Sequence, residues 1–194
     1  MTLSKLYLLI ASLILAGLSQ LSFASATMNE DEIKNVDRVE INDDAARQRL
    51  SKTAGLLADY EIAAKKLISS LDKSSSTDIS KQANALLELS ENVINSAQYR
   101  LPQCAKYLAK TLMLKNNLSK ISHVSLEKDY HHDGALPKAP GECYHTKDLF
   151  VHPATVIVLT RDDPTLNEAT KSSINDEITE VLAHTEFVRQ LVIY

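Results

Sequence analysis

The chain has 194 residues and a formal net charge of −4, and only four of its residues are glycine. Ordinary proteins contain about 7% glycine, so this composition excludes the glycine-rich phosphate loops of nucleotide-binding proteins and argues against a fold with many tight β turns. No concentrated basic patch is present, which leaves nucleic-acid binding without a basis.

The first 26 residues have the pattern of a secretory signal peptide. Lys5 precedes an apolar run over residues 6–18, and Ala24-Ser25-Ala26 supplies small residues for cleavage. The run is shorter than the roughly 20 residues that span a bilayer, so a transmembrane anchor is the weaker alternative. We therefore expect a periplasmic or secreted protein that has no transmembrane anchor after cleavage.

The mature chain is expected to contain an acidic arm and one domain. Residues 27–42 are rich in Asp and Glu without an apolar period, which is typical of a flexible, solvated segment. From residue 43 to the end, the apolar pattern predicts a single helical-bundle domain over residues 43–194.

Four segments of that domain have apolar residues at alternating spacings of three and four, which is the period of an amphipathic helix. The stripe of the first segment consists of Ala46, Leu50, Thr53, Leu57, Tyr60, Ala64, Leu67 and Leu71. Short linkers favour antiparallel neighbours. The sequence therefore predicts an all-α antiparallel bundle whose four main helices cover about residues 43–72, 77–99, 102–122 and 164–192.

Residues 123–152 lack a long period and are rich in His, Pro and Gly, so we predict an irregular segment there. A short helix is predicted near residues 153–161. A strand is the alternative for this β-branched run, but no convincing partner strand exists elsewhere.

The two cysteines, Cys104 and Cys143, are expected to form a disulfide in an oxidising compartment. Neither belongs to a Cys-x-x-Cys motif, which weakens the alternative of metal-binding or catalytic thiols. Because bonded cysteines have Cα atoms within about 7 Å of each other, the intervening segment must run back along the helix that begins near Cys104.

The irregular segment contains candidate ligands for zinc or copper, since imidazole and carboxylate groups bind both ions. The candidates are His131, His132, Asp133, His145 and His152. Their spacing matches no zinc-finger or His-Glu-x-x-His motif. The competing interpretation is that these residues form turns and hydrogen-bond to helix ends.

Two further alternatives receive less support from the sequence. Haem ligation would need His184 together with Met28 or Met113, but Met28 lies in the acidic arm and Met113 lies off the best apolar stripe. Catalysis cannot be assigned either, because a catalytic triad is recognised by geometry and not by sequence position.

The sequence thus favours a non-catalytic binding or structural protein, in which residues 123–152 recognise a periplasmic protein or a small ligand. A periplasmic zinc- or copper-binding protein that uses the same residues is the second hypothesis. A hydrolase without a recognisable motif is the third.

Overall fold

The computed structural model describes residues 33–194. The predicted signal peptide and the first part of the acidic arm lie outside these residues. Within them, all regular structure is helical. The α-helices are α1 (Asp44–Ser70), α2 (Ser76–Arg100), α3 (Ala105–Leu112), α4 (His123–Leu126), α5 (Glu142–Asp162) and α6 (Glu168–Val188).

Several single turns extend or link these helices. The 3₁₀ turns are Leu71–Lys73, Pro102–Cys104 and Met113–Asn117. The π turns are Glu127–His131, directly after α4, and Arg189–Ile193, directly after α6. The predicted all-α bundle is therefore confirmed.

The stripes predicted for α1, α2 and α6 form the core. Every apolar position of the α1 stripe is buried, and the same holds for Ile79, Leu86 and Val93 on α2 and for Ile178 and Val181 on α6. Asp43 caps α1 by accepting a hydrogen bond from the Ala46 backbone N–H. Amphipathic spacing and a capping residue thus make α1 recognisable from its own sequence.

The prediction of a long helix over residues 102–122 is wrong. Residues 102–122 form only the eight-residue α3 with a 3₁₀ turn on either side. The missing place in the bundle is taken by α5, which packs against α2, α3 and α6, while α1 packs against α2 and α6. The irregular segment accordingly ends at Gly141, and the short helix predicted near 153–161 is the second half of α5.

Burial explains why α5 has no helical stripe in its sequence. Every residue from Thr146 to Val156 is buried. A helix covered on all sides does not alternate between apolar and polar faces. Because its buried residues include polar ones, the sequence of α5 resembles that of an irregular segment.

Pro153 lies inside α5, where a proline removes the backbone hydrogen bond to the carbonyl four residues earlier. That carbonyl belongs to Leu149, and it accepts a hydrogen bond of 2.9 Å from the Tyr60 hydroxyl of α1. The neighbouring helix therefore supplies the donor that Pro153 lacks, and α5 continues without interruption.

The last helix of the chain, α6, begins further along the sequence than predicted. Asp163 accepts hydrogen bonds from the backbone N–H groups of Thr165 and Asn167, which holds a turn between α5 and α6. Asn167 then caps α6 by accepting from the Thr170 N–H. The helix therefore starts at Glu168 and not at residue 164.

The loop between α3 and α5 is closed by the predicted disulfide. Cys104 and Cys143 are bonded, with their Cα atoms 5.5 Å apart. Residues 123–141, called the strap below, therefore return to the start of α3, as expected. Because α4 and the π turn after it pack against α5, the strap covers part of the helix that it precedes.

The described part of the acidic arm lies along the end of α2. The Val39 N–H donates to the Arg100 carbonyl, and the Gln103 side chain donates to the Asp37 carbonyl. Ile33 and Val36 pack against the core. The flexibility expected of residues 27–42 stays a prediction.

Candidate metal centre

A group of buried polar side chains lies where the strap covers α5. Asp148 and His152 are four residues apart on α5, so they occupy the same side of the helix. His152 has no solvent-accessible surface, and Asp148 is 7% exposed. Burying two such groups is unfavourable unless each finds a partner.

The strap places a third side chain, His131, beside this pair. Its ring lies edge-on to the His152 ring, with the centroids 5.0 Å apart. One possible ligand atom from each of His131, Asp148 and His152 lies within 4.8 Å of the other two. Ligands of a tetrahedral zinc ion are roughly 3.5 Å apart, so side-chain movements of about 1 Å would bring the three atoms to coordinating distance.

The turn that carries His131 is held by backbone hydrogen bonds and contains a residue with a positive φ. The N–H groups of His132, Gly134 and Ala135 bond back to the π turn, and Asp133 has a positive φ of 62°. A Cβ on Gly134 would lie 2.6 Å from the Lys128 carbonyl, which leaves no room for a side chain. This close approach fixes the shape of the turn within the strap.

Each histidine of the group is held by a carboxylate at one ring nitrogen. His152 Nδ1 lies 2.6 Å from Glu177 Oε2 of α6, and His131 Nδ1 lies 2.8 Å from Glu127 Oε2. A carboxylate accepts the Nδ1 proton, which leaves Nε2 as the nitrogen with a free lone pair. Metal-binding histidines are held in this manner in known sites.

Two atoms of the group are buried without a hydrogen-bond partner. They are His152 Nε2 and Asp148 Oδ1. Most buried polar atoms in folded proteins have a hydrogen-bond partner, and leaving one without costs roughly 1–3 kcal/mol. Asp148 Oδ1 still has an ion pair with Lys147, whereas His152 Nε2 has none, so His152 Nε2 is the atom that a metal ion would use first.

Lys147 supplies positive charge beside the group. Its Nζ donates to the His131 carbonyl at 2.7 Å and lies 3.1 Å from Asp148 Oδ1 and 3.2 Å from Asp133 Oδ1. Burial raises the pKa of Asp148, but the contact with His184 and the charge on Lys147 outweigh that effect and hold this pKa well below its usual range. Asp148 is therefore an anion, which is the form in which a carboxyl group binds a metal ion.

Glu127 and His131 affect each other's protonation. The hydrogen bond to Glu127 raises the pKa of His131 above its ordinary value, although burial opposes the change. Burial raises the pKa of Glu127, but the bond to His131 outweighs it and gives a net lowering. Both shifts have the direction expected when the two side chains form an ion pair.

Of the five ligands predicted from the sequence, the structure brings His131 and His152 together with Asp148. His132 is exposed and lies with His131 and Glu127 in a second group, whose ligand atoms are also within 4.8 Å of one another. Asp133 and His145 belong to neither group. Asp133 accepts a hydrogen bond from the Tyr107 hydroxyl and pairs with Lys147.

His145 is packed mainly against other rings. It stacks on Phe187 at 4.4 Å and contacts His184 edge-on at 4.8 Å. Burial, followed by the charge of His184, lowers the pKa of His145 to about 4. His184 itself directs Nδ1 toward Asp148 Oδ2 at 3.1 Å, while Met113 is half exposed on a 3₁₀ turn. His184 thus contributes to the surroundings of Asp148.

Asp148, Glu127 and Glu177 were not among the residues predicted from the sequence. Asp148 and His152 have the spacing of ligands on one helical face, but that signal is visible only if residues 142–162 are taken as helical. Glu127 and His131 have the same spacing, at the two ends of the π turn that follows α4. Glu177 comes from a distant segment, and nothing in its local sequence connects it to His152.

The comparisons with known proteins assign no function to this site. Among the helices of residues 33–194, none combines the length and apolar character needed to cross a membrane. The chain matches no protein-family model, no curated protein and no solved structure.

Proposed function

We propose that this protein binds one divalent transition-metal ion, of the zinc or copper class, between His131, Asp148 and His152. The observation that carries the proposal is the buried His152 Nε2, which has no hydrogen-bond partner, beside Asp148 Oδ1, whose contact is the ion pair with Lys147. They lie beside a second histidine whose Nδ1 is already occupied by Glu127.

The donor set favours a transition metal over calcium or magnesium. Calcium and magnesium prefer oxygen ligands, whereas imidazole nitrogen suits zinc, copper, iron and nickel. Two imidazoles with one carboxylate also leave coordination positions for water or another side chain. The carboxylates of Glu127 and Glu177 would orient the two rings and increase their basicity.

Burial supports a binding role over hydrolysis. His152 is inaccessible to solvent, and the strap and α6 both contact this part of the molecule. A hydrolytic metal would need a substrate beside its free coordination positions. We therefore place the protein among non-catalytic binding proteins, with a metal ion as its small ligand.

The proposed setting is the periplasm or the exterior of the cell. The Cys104–Cys143 disulfide supports this location because such bonds persist in oxidising compartments. The signal pattern in residues 1–26 supports it independently.

The test is a zinc titration of the mature protein without a histidine tag, using a chromophoric chelator as competitor. We expect one ion per chain with a Kd tighter than about 100 μM. Asp148→Asn, which preserves the size of the side chain, and His152→Ala should each weaken binding by at least about tenfold.

His145→Phe is the matched control, because it removes a buried histidine that lies outside the group. It should bind zinc as the wild type does. Equal affinities for the wild type, Asp148→Asn and His152→Ala would overturn the proposal, provided that circular dichroism shows each variant to be folded.

A further inference from the structure

A second set of possible metal ligands lies on the outer side of His131. It comprises Glu127, His131 and His132, whose ligand atoms lie within 4.8 Å of one another. His132 is exposed, and the other two side chains are partly exposed. This outer group is therefore accessible to an ion in solution, unlike Asp148 and His152.

Glu127 has an oxygen that its hydrogen bonds leave unused. Oε2 contacts His131 Nδ1, while Oε1 is buried and has no hydrogen-bond partner. His123 Nε2, one helical turn earlier, lies 3.5 Å from Oε1. Three histidines thus surround one carboxylate at the surface, which is a donor set suited to zinc or copper.

His131 belongs to both the outer group and the buried group. Its side chain is 15% exposed, whereas His152 has no exposure and Asp148 little. Among the three buried ligands, His131 is thus the one that an ion from solution meets first.

We propose that Glu127, His131 and His132 form a capture position, which binds a divalent transition-metal ion at the surface and transfers it through His131 to Asp148 and His152. This inference rests on the proposed function. It adds a route of entry and a role for His132, which the buried position does not use. A capture position raises the local ion concentration and so accelerates loading without changing the final affinity.

The experiment measures zinc loading by stopped flow, with the metal-free, tag-free protein taking zinc from a chromophoric chelator. In His132→Ala we expect the loading rate to fall by about tenfold, since the local concentration of the ion is lost. The equilibrium Kd should stay at the wild-type value. Lys138→Ala removes an exposed strap side chain outside both groups and should load at the wild-type rate.

The outcomes separate the two proposals. If the wild type takes up no zinc, the proposed function fails. If the wild type binds zinc with the predicted dependence on Asp148 and His152, but His132→Ala loads as fast as Lys138→Ala, only the capture position fails. Because His132 is exposed, its replacement is not expected to affect folding.

Discussion

His145 is a buried histidine that the native fold keeps neutral. It stacks on Phe187 and contacts His184 edge-on, and burial, together with the charge of His184, lowers its pKa to about 4. In the unfolded chain a histidine titrates near 6.5. Between these two values the unfolded state takes up a proton that the native state does not, so stability falls as the pH decreases from 6.5 to about 4.

His145→Phe should therefore reduce the sensitivity of the protein to acid. The wild type should lose about 3 kcal/mol of unfolding free energy through this residue between pH 7 and pH 4, and the variant should not lose that contribution. Urea denaturation at both pH values, with EDTA present, measures the difference. Parallel losses in the two proteins would show that His145 is not held neutral.

At the level of single residues, the sequence identified two of the three proposed buried ligands. His131 and His152 were recognisable because histidine is rare and concentrated between residues 123 and 152. Asp148 was not, because carboxylates are common and its burial depends on α5. Asp133 and His145 were reasonable candidates by composition, but the fold provides each of them with other contacts.

Among the elements, α5 shows how a neighbouring helix can compensate for a proline. Pro153 leaves the Leu149 carbonyl without its helical donor, and Tyr60 supplies the missing hydrogen bond. If Tyr60 is replaced by Phe, the carbonyl stays buried without a partner. If Pro153 is replaced by Ala, the helix can supply its own donor.

A double-mutant cycle tests this relation. Tyr60→Phe should destabilise the protein by about 1–3 kcal/mol, which is the cost of an unsatisfied buried polar group. In a Pro153→Ala background the same change should cost at most about half as much, because residue 153 then donates to Leu149. The free energies of unfolding measure both steps, and an equal cost in the two backgrounds would contradict the compensation.

The elements also differ in how far the sequence predicts them. Helices α1, α2 and α6 have one face in the core and one in solvent, so their period is visible in the residues. Helix α5 is buried nearly all round, and its histidines, lysine and aspartate obscure its helical nature. Residues 102–122 have several leucines, but the structure turns them through 3₁₀ geometry after Leu112.

For the whole molecule, the candidate centre depends on segments that are far apart in the chain. The strap contributes Glu127 and His131, α5 contributes Asp148 and His152, and α6 contributes Glu177. The disulfide fixes the end of the strap where α5 begins. A sequence shows which residues are available for such a centre, but their convergence results from the packing of α5 between its neighbours.

The arrangement of the bundle also explains the distribution of glycine. Gly134 and Gly141 both lie in the strap, and Gly134 allows a close backbone approach beneath the turn that carries His131. Helices α1, α2 and α6 begin at Asp, Ser and Asn caps and need no glycine there, whereas α5 follows directly on Gly141. Glycine is thus scarce in a chain that is mostly helical, and one of its few positions is where the strap backbone passes close to itself.

The proposed metal site is best tested by crystallography. Crystals of the tag-free mature protein are grown with zinc, and diffraction data are collected on both sides of the zinc absorption edge. We predict one strong anomalous peak at coordinating distance from a ring nitrogen of His131, a carboxylate oxygen of Asp148 and His152 Nε2. Zinc found only at exposed surface residues, or no anomalous peak between these three side chains, would contradict the proposed metal site.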